Sequence, residues 1–215
     1  MTEEMSYYPV FLNLTGRKCL VVGGGEVARR KVGLLWEHGA AVSVVSPEIC
    51  PELAALGERG GIAAHRRAYR AEDLADCFVV IAATDDSETN RRVSADARRK
   101  GVLVNVVDDA GNSDFILPAS LSRGAITVAV ATAGKSPALA RKIRDHLDKE
   151  LSTEYARLAE LVSEVRGELR RRGVRIDAER WQEALELEPL LALLRRGENG
   201  RARDLLLRKL GAASP

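Results

Sequence analysis

The stretch that most constrains this chain is Lys18-Cys19-Leu20-Val21-Val22 followed by Gly23-Gly24-Gly25 and then Glu26-Val27-Ala28. The apolar run with its paired valines predicts a buried parallel strand, the glycines a turn too tight for a Cβ, and the following residues the opening of a helix. In such a strand, turn and helix unit the backbone amides converge on an anion. Gly23 takes the sharp bend, Gly25 lets the backbone approach a pyrophosphate, and Ala28 lets the helix pack closely on the strand. The pattern is GxGxxA, with Glu26 and Val27 as the first helical residues, and it predicts a dinucleotide site. Arg29, Arg30 and Lys31 stand early in that helix, where the macrodipole disfavours cations. They either face an anionic ligand or form a solvated basic face.

With 215 residues the chain is long enough for one large domain or for a domain and a smaller partner, each with its own core. Aromatic residues are scarce, so Ala, Leu and Val must fill it. A formal charge of +2 argues against wholesale nucleic-acid binding. No apolar run approaches the ~20 residues that cross a bilayer, and Met1-Thr2-Glu3-Glu4 does not open a signal peptide, so a cytoplasmic location is expected. Cys19, Cys50 and Cys77 are far apart and read as small buried hydrophobes in a reducing compartment. His38, His65 and His146 are equally scattered, and no metal site is expected.

In chain order, Tyr7 to Leu14 carries enough apolar surface to pair at a sheet edge or cover the core. The helix after the glycines is expected to run to about His38, burying Val27, Leu34, Leu35 and Trp36. A second strand, Ala41 to Val45, follows. Dinucleotide folds place an acid for the adenine ribose at the end of this strand. Here it ends Ser46-Pro47-Glu48, so Ser46, Glu48 or backbone must do that work. This leaves NAD against NADP open, although no arginine stands immediately there in the sequence. Pro51 to Arg59 reads as a short helix and Ile62 to His65 as a third strand.

Phe78 to Ala83 is unbroken apolar sequence and must be a central strand, ending in Thr84-Asp85-Asp86 before a polar helix, Ser87 to Lys100. The next strand, Val102 to Val107, delivers Asp108 and Asp109 at its carboxyl end. Ligands in open α/β sheets gather outside the carboxyl ends of the strands, so Thr84, Asp85, Asn105 and Asp108 should share one crevice with the glycine turn. Beyond Pro118 a hairpin is expected, Ala119 to Ser122 turning through Arg123-Gly124 into Ile126 to Val130. Ser136 then caps a helix with Pro137 at its first position. Gly134-Lys135-Ser136 is not a P-loop, because the first glycine of that motif would fall at Ala129. From Leu151 onward leucine recurs at helical spacing among Arg and Glu, predicting helices at Tyr155 to Arg172, Asp177 to Arg196 and Arg201 to Leu210.

Five motifs occur in order: Gly23-Gly24-Gly25-Glu26-Val27-Ala28-Arg29-Arg30-Lys31, Ala82-Ala83-Thr84-Asp85-Asp86, Asn105-Val106-Val107-Asp108-Asp109, Phe115-Ile116-Leu117-Pro118, and Gly134-Lys135-Ser136-Pro137-Ala138-Leu139-Ala140-Arg141. In order and spacing they resemble the precorrin-2 dehydrogenase family, the siroheme synthase module found alone or fused to a methyltransferase. The resemblance implies an α/β fold: a Rossmann-like parallel-sheet NAD-binding domain (1–114), a small α+β dimerisation segment (115–150) and a C-terminal helical domain (151–215), as an entwined homodimer. It implies NAD-dependent oxidation of precorrin-2 to sirohydrochlorin, in some members with insertion of ferrous iron, and it makes Asp108 the central acid/base. Fused members can carry a phosphorylatable serine where this chain has Thr132, and two glycines where it has Ala133-Gly134.

On this reading the cofactor contacts are Gly23, Gly25, Glu26, Val27, Ser46, Pro47, Glu48, Thr84, Asp85 and Asn105. A strand-end carboxylate beside a partly closed apolar crevice can have its pKa raised by desolvation, which suits Asp108 to proton exchange; the bland alternative is that Asp108 caps the next turn. Asn105 holds the nicotinamide amide, orients Asp108 or satisfies buried backbone. The substrate is rich in carboxylates, for which Arg123, Lys135, Ser136 and Arg141 are candidates. Capping alone also accounts for Ser136, and a solvated helix face for Arg141. The competing reading is an NAD(H)-sensing regulatory module whose basic helical tail binds a partner or DNA.

Overall fold

The computed structural model describes residues 6–212, which divide along the chain into two compact units between Leu117 and Pro118. The first unit holds five parallel strands: β1 (Lys18–Val22), β2 (Ala41–Ser46), β3 (Ala63–Arg66), β4 (Val79–Ala82) and β5 (Leu103–Val106). Their order is β3-β2-β1-β4-β5, so the chain reverses its direction of travel across the sheet between β1 and β4. Both faces are covered. Helices α1 (Glu26–Glu37) and α2 (Pro51–Glu58) bury Ala28, Val32, Leu35 and Leu53 against Cys19, Val21, Val42 and Val44. Helix α3 (Ser87–Lys100) and a 3-10 turn, Ala71–Leu74, bury Val93, Ala97 and Leu74 against Leu20, Val22, Val80 and Val104. Burial on both sides is why β1 and β4 read as unbroken apolar runs.

Two expectations change in this unit. In α1 the buried stripe is Ala28, Val32 and Leu35, whereas Leu34 and Trp36 are exposed. Ala28 must touch the strand for the glycine turn to close, and the helical period from Ala28 then selects positions 32 and 35. The segment after Tyr7 forms no strand, with Tyr8 87% and Phe11 74% exposed, and only Leu14 packs against the core.

A buried polar cluster fastens the 3-10 turn to α3. Tyr69 donates its hydroxyl hydrogen bond to Asp96 at 3.1 Å, and Asp96 also pairs with Arg99. Beside it Arg67 holds Asp73 through two bonds of 2.5 and 2.8 Å. The guanidinium keeps the Asp73 carboxyl below the usual carboxylate range. A group with a depressed folded pKa contributes stability that is complete above its unfolded value, about 3.9, and lost as pH falls through the folded value. The melting temperature is therefore expected to fall as pH drops below about 4. Asp73→Asn should be less stable at neutral pH and lose less on acidification, as thermal melts across pH would show.

The second unit begins with an antiparallel hairpin, β6 (Ala119–Arg123) and β7 (Ile126–Val130), followed by α4 (Pro137–Glu150). Four helices complete it: α5 (Thr153–Arg171), α6 (Ala178–Ala184), α7 (Leu187–Arg195) and α8 (Asn199–Lys209). Their core is leucine: Leu158, Leu161, Leu169, Leu190, Leu194 and Leu206. Asp177 caps α6, accepting from the Arg180 amide at 2.7 Å, as expected. The single helix expected up to Arg196 is broken at Leu185 and Glu186. Pro189 explains the break: it has no N–H to give residue 185, and its ring would clash with that carbonyl, so α7 restarts with the proline in its first turn.

Candidate active site

All five strands are parallel, so their carboxyl ends lie along one edge, and the register aligns Val22 with Ala82 and Ala82 with Val106. Gly23, Ala83 and Val107 therefore leave the sheet side by side at the reversal between β1 and β4, where open α/β sheets bind ligands. The glycines divide the work. Gly23 has φ +130°, and a Cβ on it would lie 2.2 Å from the Ala83 carbonyl oxygen. A Cβ on Gly24 would lie 1.8 Å from the Glu48 carbonyl oxygen. Gly25 is exposed, and its Cβ would meet nothing within 4 Å. Two glycines thus seat the turn against the β2 and β4 loops, and the third leaves an open cradle. No side chain caps α1 at Gly25, so its first amides are available to a pyrophosphate.

The cations early in α1 differ in their surroundings. Arg29 is held by Glu26 through bonds of 2.7 and 2.6 Å, and Arg30 is exposed. Lys31 is half-buried, and burial lowers its pKa, helped by Arg30 and opposed by Asp108. Asp108 is thus one of the charges that act on Lys31. Val107 and Phe115 pack on the core under α1.

Asp108 occupies a turn after β5 in which the Asp109 amide donates to the Val106 carbonyl at 3.2 Å. Its φ is +58°, a left-handed conformation that few non-glycine residues adopt and that Asp tolerates best, with Asn. Neighbours enforce it. Asp109 accepts from the Asn112 amide at 3.1 Å and from Asn112 Nδ2 at 2.7 Å, while Ser113 Oγ donates to the Asp109 carbonyl at 2.7 Å. The Asn112 side chain and amide hold the Asp109 carboxyl below its usual range. Asp109 builds the turn, and Asp108 is presented by it. The enclosure expected around Asp108 is not found within this chain, where the residue is exposed.

Thr84 Oγ1 donates to Asn90 Oδ1 at 2.9 Å, and Asn90 Nδ2 returns a bond to the Thr84 carbonyl at 2.8 Å. Thr84 thus shapes the loop after β4, and Asn90, unremarked in the sequence, is its partner. Asp85 is exposed, and Asp86 caps α3. Asn105 is buried, and its Nδ2 donates to the Phe115 carbonyl at 2.9 Å, the backbone-satisfying alternative of the three left open. Ser46 ends β2, with Pro47 and Glu48 exposed beyond it. The absence of a nearby arginine does not survive folding. Strand pairing sets Arg66 of β3 opposite Ser46.

The substrate candidates belong to the second unit. Arg123 is engaged by Asp148 at 2.5 Å, which ties the hairpin to α4. Ser136 accepts from the Leu139 amide at 3.1 Å as the cap of α4, and its own amide donates to Thr132 Oγ1 at 3.0 Å. Ala133 and Gly134 are both left-handed, φ +48° and +80°, so Ala133 adopts a conformation that favours glycine. Lys135 and Arg141 are exposed. Among the described residues no group of three or more His, Cys, Asp or Glu is placed to hold a metal ion, and no helix is long and apolar enough to cross a membrane.

The parallel sheet, its reversal point and the glycine cradle define a dinucleotide-binding Rossmann protein with a second, mainly helical unit. A family model described as NAD(P)-binding matches residues 10–119, and one described as the sirohaem biosynthesis protein central region matches residues 123–150. The chain belongs to this NAD(P)-binding family, in the branch whose Rossmann unit is followed by the sirohaem-biosynthesis segment. It is 43% identical over 210 residues to the siroheme synthase of Chromobacterium violaceum, covering 97% of this chain and 44% of that protein. With the siroheme synthase of Nitrosomonas europaea it shares 42% identity over 205 residues, 94% of this chain and 43% of that one. The chain thus spans less than half the length of these relatives. The solved structure of SirC, a precorrin-2 dehydrogenase, superposes with TM-score 0.73 at 27% identity, covering 92% of this chain and 98% of that one.

Proposed function

We propose that this chain oxidises precorrin-2 to sirohydrochlorin with a nicotinamide dinucleotide, in the cytoplasm and as a homodimer. The carrying observation is Asp108, held left-handed at the carboxyl end of β5, two strands from the glycine cradle. Neighbouring strands lie about 4.8 Å apart, so cradle and carboxylate are separated by roughly 10 Å. That span suits a dinucleotide with its pyrophosphate at Gly25 and its nicotinamide toward β4 and β5.

NAD+, when bound, would supply the acceptor for the hydride that leaves the macrocycle. Asp108 takes the accompanying proton on its carboxylate. Thr84 and Asn90 fix the loop after β4, and Asn105 holds Phe115, so that both would present a firm surface to a bound nicotinamide. Lys135 and Arg141 are the proposed donors to substrate carboxylates, with Arg123 supporting the hairpin. Residues 115–150 form the proposed dimerisation segment. A two-stranded hairpin is marginal alone, and α4 buries only Ala140 while exposing Leu139 and Ile143, a face that a second copy would cover.

Purified chain supplied with precorrin-2 and dinucleotide should form sirohydrochlorin with one reduced dinucleotide per macrocycle; absence of both products would refute the reading. Ferrous or cobaltous ion offered with sirohydrochlorin and no dinucleotide tests insertion, for which Asp108 would strip the pyrrole protons.

A further inference from the structure

A cleft at the end of α5 is lined entirely by residues of the second unit. The helix closes at Arg171, Gly173 turns left-handed with φ +71°, and the Val174 amide donates back to the Leu169 carbonyl at 2.9 Å. The chain then crosses to α6, where the Trp181 ring receives Arg166, whose guanidinium carbon lies 5.4 Å from the ring centroid. The cleft between these elements has a volume of about 760 Å³, with Arg166, Arg170, Arg175 and Trp181 around it and Val174 and Ile176 as its apolar wall. That volume falls within the range of small-molecule sites, about 300–1,000 Å³. No carboxylate lines it.

Its positive charge is not neutralised. Among the described residues Arg170 and Arg175 make no hydrogen bond or ion pair, and Arg166 has only its ring contact. The arginines outside the cleft differ: Arg172 and Arg203 both pair with Glu168, and Arg180 pairs with Glu183. The α5 macrodipole favours cations in its last turn. That accounts for Arg170, but Arg166 stands a turn earlier and Arg175 lies beyond the helix. Arg166 and Arg170, four apart, share a helix face on which like charges repel. Gly167, which also lines the cleft, is not required by packing. Glycine is unfavourable inside a helix, and a Cβ there would meet nothing outside its own helix backbone closer than the Arg171 guanidinium at 3.5 Å, an ordinary contact. Its bare backbone leaves the cleft wider.

We propose that this cleft is a second binding site for sirohydrochlorin, a conjugated macrocycle rich in carboxylates, on residues other than those at the strand edge. A conjugated ring system stacks on guanidinium and indole faces, and the N–H pairs of Arg170 and Arg175 donate to its carboxylates. A ligand of charge alone would leave Trp181, Val174 and Ile176 unused. A flat apolar one would leave the arginines without a counter-charge. The inference rests on the proposed oxidation of precorrin-2, which supplies the macrocycle.

Equilibrium dialysis of the whole chain against sirohydrochlorin, with neither dinucleotide nor metal ion, counts the sites, and two macrocycles per chain are expected. A charge-assisted bond is worth roughly tenfold or more in affinity. Arg170→Glu combined with Arg175→Glu should therefore weaken one site about a hundredfold or more, and leave the other site and the rate of precorrin-2 oxidation unchanged. Both arginines are exposed, and thermal melts check that the variant is folded. Gly167→Ala should raise the melting temperature and weaken the same site. Citrate, which carries carboxylates but no ring, should not displace the macrocycle at equal concentration. Fewer than two macrocycles on a chain that oxidises precorrin-2, two held equally well by the double variant, or displacement by citrate would overturn the proposal and leave the oxidation reading standing. A chain that neither binds sirohydrochlorin nor forms it would overturn both.

Discussion

An Asp108→Asn variant is expected to lose about 10²- to 10⁴-fold in the rate of precorrin-2 oxidation, the range removed with a general base, and to bind the dinucleotide as the unaltered chain does. Asparagine is the informative replacement. Position 108 has φ +58°, and asparagine shares the tolerance of aspartate for that conformation, so the turn should keep its shape while the proton acceptor is removed. Alanine there would add about 1–2 kcal/mol of left-handed strain and confuse two effects. Asp109→Asn is the matched control. Its carboxylate faces Asn112 rather than the crevice, so activity should change only as far as the turn loosens. Steady-state rates alongside dinucleotide titration separate the cases. If Asp108→Asn turned over normally, another group would have to accept the proton.

The second large effect lies in the cradle. Gly24→Ala should cost about 3 kcal/mol or more, from overpacking against atoms that cannot swing aside. The new methyl would lie 1.8 Å from the Glu48 carbonyl oxygen and 2.9 Å from Ile49 Cα, both main-chain atoms. Ile49 is itself in the core, and the Cys50 amide is bonded to Gly24, so relief requires moving the whole connection from β2 to α2. Gly25→Ala makes the opposite prediction. Its methyl meets nothing, so the fold should be unaffected, but it stands where a pyrophosphate would approach and should weaken dinucleotide binding. Thermal melts and titration of both variants give a crossed pattern. A Gly24→Ala protein that melts normally would mean that the turn is not closed against Glu48.

Local signals made most of the architecture legible. The apolar runs of β1 and β4, the Ser136-Pro137 start of α4 and the Asp177 cap of α6 each follow from chemistry within a few residues, and each stands where it was expected. The misses required knowledge of neighbours. The inward face of α1 is set by the contact of Ala28 with the strand, which composition does not announce. The exposure of Tyr8 and Phe11 reflects the lack of any strand paired with them, although their side chains suit a sheet. The break between α6 and α7 had a local cause in Pro189, outweighed in reading by the leucine periodicity around it.

From its sequence alone the chain was committed to a glycine-turn dinucleotide fold with Asp108 at a strand end, because strand, turn and helix preferences act over short stretches. Which side chains meet at that edge was a matter of packing. Asn90 behind Thr84 and Asn105 against Phe115 are pairs separated in sequence that only the sheet and its helices bring together. Arg66 shows the difference most clearly. It lies twenty residues beyond Ser46, and parallel register, fixed by hydrogen bonds between two backbones, makes the two residues neighbours.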